Sequence, residues 1–199
     1  MKLARKMKRK AEKSAAKGEE KARTGYEKAK RDVYHATAKE IVMQNVAADE
    51  MRDRMTLIFL ASAKAKFKLS AKVCDMLRHK MAIHYLCWKD GTVTVDDIRK
   101  ILLDESGMYG RKGFDVSEYC MPLGKAQDSI TLAKMETFNA ITAIFMLCLL
   151  DGLGYKQKRM KGLYLYVTSI MDEIEKKEIT LKDLSDYLKP RKKTVKEVA

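Results

Sequence analysis

Only two prolines, Pro122 and Pro190, interrupt a chain of 199 residues. So little proline leaves few enforced breaks, and long helices are open to it. Alternation of β-branched residues is almost absent, which argues against a sheet. The four cysteines, Cys74, Cys87, Cys120 and Cys148, form no CxxC pair. Three of them stand in apolar helical stretches, where they are expected as small buried hydrophobes in a reducing compartment. The three histidines, His35, His79 and His84, lack ligand partners at useful spacing. His79 and His84 are five positions apart and point to different sides of a helix, with His84 on an apolar stripe as a core residue. No metal site is therefore expected. The phosphate-loop pattern GxxxxGK is missing, and neither a Ser-His-Asp nor a Cys-His set is suggested. The pairs Asp96/Asp97 and Asp172/Glu173 read as helix-dipole partners and exposed faces, not as acid–base dyads. The expectation is a non-enzymatic protein with no cofactor. The basic start MKLARKMKRK has no apolar h-region behind it. The longest apolar stretch, Ile141 to Leu150, is too short to span a bilayer. A soluble, intracellular protein without a membrane partner is expected.

What the chain does have is lysine, alanine, leucine, methionine and glutamate, all strong helix formers. About half the residues, 46%, are hydrophobic, so the chain as a whole should fold. The fold class expected is all-α. The formal net charge of +14 is unevenly placed. Residues 1–33 hold 13 Lys/Arg against 5 Asp/Glu, residues 189–199 hold 5 against 1, and the body between them is left near neutral. Two basic ends on a neutral body suit a polyanion, either nucleic acid or an anionic membrane surface. Solubility, or an acidic protein partner, would account for the same ends.

Periodicity divides the chain into a basic helical arm over 1–36, a first helical unit over 37–106, a connecting loop over 107–127, a second helical unit over 128–189 and a basic tail over 190–199. Residues 37–189 are expected to pack as one domain. The arm offers few large apolar side chains to a core. Ile41, Val42, Val46, Met51, Met55, Ile58 and Phe59 recur at helical spacing and predict a helix over about 37–65. Val73, Met76, Leu77, Met81, His84, Tyr85 and Trp88 mark another, with Gly91 as its C-cap. Thr94 caps a helix to about Glu105, with Asp96 and Asp97 in its first turn. The loop "GMYGRKGFDVSEYCMPLG" over 107–124 is long for a connection and reads as a joint between two halves. Asp128 or Ser129 opens a strongly apolar helix. Tyr155 to Lys176 forms another, and Thr180 caps the last.

Two stretches resemble each other: "VTVDDIRKIL" from Val93 and "ITLKDLSDYL" from Ile179. Sliding 58–102 by 86 positions onto 144–188 needs no gap. It aligns Ile58 with Ile144, Phe59 with Phe145, Lys72 with Lys158, Leu77 with Leu163, Thr94 with Thr180, Asp97 with Asp183 and Leu102 with Leu188. The shared order of apolar helix, basic turn, amphipathic helix and capped short helix predicts two related units in one bundle. Convergence of two ordinary helical hairpins is the alternative.

The basic clusters nominate candidate binding residues. These are Lys2, Arg5, Lys6, Lys8, Arg9 and Lys10 in the arm; Lys66, Lys68 and Lys72 in "KAKFKLSAK"; Lys156, Lys158, Arg159 and Lys161 in "GLGYKQKRMK"; and Arg191, Lys192 and Lys193 in the tail. A helix start beside cations favours an anion, so Lys156–Arg159 and Lys158–Lys161 are expected to grip phosphate oxygens. A solvated face behind a glycine helix stop is the plainer reading.

Residues 149–188 resemble a segment of small, uncharacterised prophage proteins of Gram-positive bacteria. There an apolar helix leads into a Phe-Gly-Phe-Gly turn, a Lys/Arg cluster, a helix and a T-x-x-D helix start. Leu153, Gly154 and Tyr155 occupy that turn here, followed by Lys156, Lys158 and Arg159, with Leu and Tyr where that family has Phe. The resemblance implies a phage or mobile-element origin and the cytoplasm of a bacterial host. The functional expectation is nucleic-acid binding, DNA or RNA, through backbone phosphates without strong base reading. The alternative is a phage-encoded adaptor, or an inhibitor of a host defence nuclease, docking on an acidic or nucleic-acid-associated protein.

Overall fold

The computed structural model describes the backbone of residues 2–107 and 112–190, and the side chains of 32–107 and 112–190. All regular structure in them is helical: α1 (Lys2–Phe67), α2 (Ala71–Lys89), α3 (Val95–Glu105), α4 (Ser129–Leu153), α5 (Gln157–Glu175) and α6 (Leu181–Leu188), with 3₁₀ turns at Val116–Tyr119 and Leu123–Lys125. The chain divides into two compact units, 1–45 and 46–199. In the first, α1 runs through Gly18 and Thr24-Gly25 without a break. Ile41 and Val42 are exposed there, and so is Val46 just beyond, although their spacing predicts a core face. The core takes its first α1 side chains at Ala47 and Met55.

The second unit is a helical bundle. From Thr137 to Leu150, α4 is buried all round apart from a half-buried Leu147. A helix apolar on every side must be covered on every side. It packs on α2 and α3, and Phe145 stacks on Phe59 of α1 with ring centroids 4.7 Å apart. By length and composition α4 could cross a membrane, but 78% of its apolar window is buried inside the protein. It is therefore the core helix of the bundle. Asp128 opens it by accepting from the Thr131 N–H, and Gly154 closes it with φ +63°.

The helix ends follow the 86-residue offset. Adding 86 to the bounds of α2, Ala71–Lys89, gives those of α5, Gln157–Glu175. Thr94 and Thr180 each close a capping box, with Asp97 and Asp183 at the third helical position. In both boxes the threonine hydroxyl holds the aspartate carboxyl below its ordinary range. Among the described residues, four have left-handed backbone: Lys68, Gly91, Gly154 and Lys177. They form two pairs 86 apart, Lys68 with Gly154 after the long helices and Gly91 with Lys177 after α2 and α5. Buried Ile58, Leu77, Ile98 and Leu102 likewise match buried Ile144, Leu163, Leu184 and Leu188.

A lysine in the left-handed region bears a steric cost that glycine does not, about 1 kcal/mol. Lys177→Gly is therefore expected to raise the thermal midpoint by roughly 2–4 °C. A differential scan of the variant checks this. An unchanged or lower midpoint would mean that the turn relaxes without help.

Four details depart from the sequence reading. Met76 is exposed rather than in the core. His84 is half-buried beside a cleft that also contains Asp151 and Lys156, because Leu77, Met81 and Tyr85 take the inner face of α2. Cys87 is only half-buried, whereas burial pushes the Cys148 thiol up to about 12. The segment after α3 does more than join two halves. Phe114 and Val116 are fully buried, and Arg99 holds Asp115 by two hydrogen bonds, 2.9 and 3.2 Å. That pairing, with the Ser117 hydroxyl, draws the Asp115 carboxyl far below its usual range.

Candidate nucleic-acid interface

The last turn of α1 is rich in lysine because "KAKFK" ends the helix; it meets α5 and α6 through two cation–aromatic contacts, and a third lies at the start of α5. The Lys64 ammonium lies 4.7 Å from the centre of the Tyr187 ring and donates to the Tyr187 carbonyl. The Lys66 ammonium lies 5.8 Å from the Tyr166 ring. The Arg159 guanidinium lies 4.7 Å over Tyr155, whose ring meets Phe67 edge-on at 4.7 Å. Each contact sets the charged group itself within 6 Å of an aromatic ring. Lys66, Arg159 and Tyr187 are exposed. The result is a surface of cations set on aromatic rings, with Tyr187 exposed, Tyr166 half-buried and Tyr155 buried beneath Arg159.

The candidate residues divide around it. Lys66 and Arg159 are brought together on this surface. Lys68, Lys72 and Lys158 are exposed and make no ion pair among the described residues. Lys156 and Lys161 turn elsewhere: Lys156 donates to the Glu105 carbonyl, and Lys161 stands 3.8 Å from Glu118. The four cations of the α5 start therefore do not act as two parallel rows. Nor is that helix start open to an anion. The Gln157 N–H donates to the Ser106 carbonyl, and those of Arg159 and Met160 to the Lys156 carbonyl. The end of α3 has taken the place a phosphate would need. Lys2, Arg5, Lys6, Lys8, Arg9 and Lys10 have side chains outside the described residues, and Arg191, Lys192 and Lys193 lie outside them altogether.

Tyr155, Tyr166 and Tyr187 were not picked out from the sequence. For two of them a signal was present, since "GYKQKR" and "DYLK" each set a tyrosine within a few positions of a cation; "YLYV" around Tyr166 holds none. Asn139 was also missed. It is buried in the middle of the most apolar helix, where an amide must find partners. It finds two, accepting from the Met121 N–H at 2.6 Å and donating to the Met121 carbonyl at 2.9 Å. Among the described residues no group of three or more His, Cys, Asp or Glu is placed to hold a metal.

Comparison of the chain with protein-family models, with curated proteins and with solved structures finds no match.

Proposed function

We propose that the protein binds nucleic acid through backbone phosphates, without catalysis, on the surface where the end of α1 meets α5 and α6. The observation that carries this reading is the setting of Lys64, Lys66 and Arg159 on Tyr187, Tyr166 and Tyr155. Cations supply affinity by releasing condensed counterions. The exposed Tyr187 ring suits an unstacked base and tolerates any sequence. Phosphate contacts position a protein without specifying a sequence. The basic ends of the chain add charge of the same sign. A phage or mobile-element setting rests on the resemblance of residues 149–188.

The test is fluorescence anisotropy of labelled oligonucleotides over a salt series. If about six phosphates are neutralised, the log–log slope on duplex is near −5, and near −4 on a single strand. Replacing Lys66, Lys68, Lys158 and Arg159 by alanine is expected to flatten the duplex slope by about 3–4. Replacing Lys156 and Lys161 is expected to change it little, because these two are engaged by Glu105 and Glu118. No binding at low salt, where screening is weakest, would remove this reading and leave a protein partner for the basic ends.

A further inference from the structure

In the bundle, a groove of about 390 Å³ opens between α1 and α2, lined by Arg52, Asp53, Leu57, Arg78, Met81 and Tyr85 among others. The 86-residue offset carries Asp53 onto Asn139, Arg78 onto Tyr164 and Met81 onto Val167. Those positions define a related groove between α4 and α5, and that groove is filled. The segment after α3 lies in it. Asn139 clamps both polar backbone groups of Met121. The Tyr164 hydroxyl donates to the Tyr119 carbonyl at 3.1 Å, and the two rings sit 4.4 Å apart. An acidic side chain of the segment is held at its rim, Glu118 at 3.8 Å from Lys161 of α5. One groove therefore shows how the other can be used.

We propose that the α1–α2 groove docks an extended peptide segment of a partner protein, one with an acidic residue next to an aromatic or aliphatic one. Asp53 stands where Asn139 accepts a backbone N–H, and a carboxylate accepts one as well. Arg78 stands where Tyr164 donates to a carbonyl. Among the described residues it pairs only with Asp75, at 3.4 Å, so most of its donors remain for a carboxylate or carbonyl. Arg52 is occupied by Asp49, Asp53 and the Tyr85 ring and serves as wall. Leu57, Met81 and Ile141 supply an apolar floor. Tyr85 is 3% exposed, and its ring lies beneath the Arg52 guanidinium as part of the groove wall. The chain's own tail, 191–199, is a poor fit, since it carries four cations against one carboxylate. Segment 114–121 of a second copy is already engaged in its own groove.

The experiment is selection from a displayed library of random decapeptides on the full chain, followed by affinity measurements with the enriched peptides as synthetic probes. Enriched sequences are expected to carry Asp or Glu within two positions of an aromatic or aliphatic residue. Ala82→Trp fills the groove from an exposed position that no core contact depends on. It is expected to weaken those probes at least tenfold, and Arg78→Glu at least fivefold. Circular dichroism confirms that both variants fold, and alanine at Lys66, Lys68, Lys158 and Arg159 should leave the probes' affinity unchanged. No enrichment, or enriched peptides indifferent to Ala82→Trp, overturns the proposal. A concentration-dependent dimer abolished by Ala82→Trp would give the groove to a second copy and overturn it too.

Discussion

Phe145→Ala is expected to destabilise the bundle by about 3–5 kcal/mol, the range for removing a buried aromatic ring. The ring is fully buried and stacks on Phe59 at 4.7 Å with 26° between the planes. It sits in the stretch of α4 buried all round, so no neighbour can move in from solvent to fill the space. The residual cavity adds to the lost transfer energy. For a unit of this size the midpoint should fall by roughly 10 °C. Phe59→Ala should cost a similar amount, because the offset places it at the equivalent position in α1. The double variant should cost less than the sum of the two, since the second truncation removes a ring that has already lost its stacking partner. Urea unfolding followed by circular dichroism gives the three free energies, with the slope on urea as a check that the unfolded states match. Strict additivity would show that the two rings touch without sharing a cavity, and that the bundle does not close around them.

Why the helices could be read from the sequence, and the surfaces could not, follows from the range of the interactions. Caps are local. Thr94 and Thr180 announce their helices because the groups they bind lie three residues away. The same holds for Asp128, and for the glycines at 91 and 154 where the chain turns left-handed. Periodicity also found α2 and α5, but it overcounted. Ile41, Val42 and Met76 have core spacing and remain exposed, since periodicity marks a face without saying whether anything covers it. The candidate interface depends on which helix ends meet. Nothing within a few residues of Lys66 indicates that Tyr166 will lie beside it, 100 positions on. Lys156 and Lys161 look no different in sequence from Lys158 and Arg159. They are separated only by Glu105 and Glu118, which the fold brings in from α3 and the segment after it. The groove between α1 and α2 became readable only once its filled counterpart was visible.

Gly113→Ala is expected to cost about 3 kcal/mol, at the upper end for forcing an extra methyl into a packed site. A Cβ at this position would sit 2.7 Å from the Ser106 hydroxyl and closer still to the carbonyl oxygens of Leu102 and Leu103. Two of those three atoms are backbone, so the strain cannot be relieved by turning a side chain. The carbonyls belong to the last turn of α3, where Leu102 accepts from the Ser106 N–H at 3.2 Å and Leu103 turns to a partner beyond the helix. The Gly113 N–H donates to the Leu103 carbonyl at 2.9 Å. The Phe114 N–H donates to the Ser106 hydroxyl at 2.6 Å, and that hydroxyl passes the bond on to the Leu102 carbonyl. A methyl here pushes the segment off the helix end. Phe114 and Val116 are then drawn out of the core, and the clamp of Asn139 on Met121 loses its register. The damage should be local before it is global. Chymotrypsin is expected to cut after Phe114 or Tyr119 in the variant well below its unfolding temperature, while the unaltered chain resists. Gly124→Ala is the control, since a Cβ there meets nothing within 4 Å, and it should be neutral within about 0.5 kcal/mol. If Gly113→Ala matched Gly124→Ala in midpoint and in protease resistance, the segment would not be packed against α3, and the filled groove would not be a template for the open one.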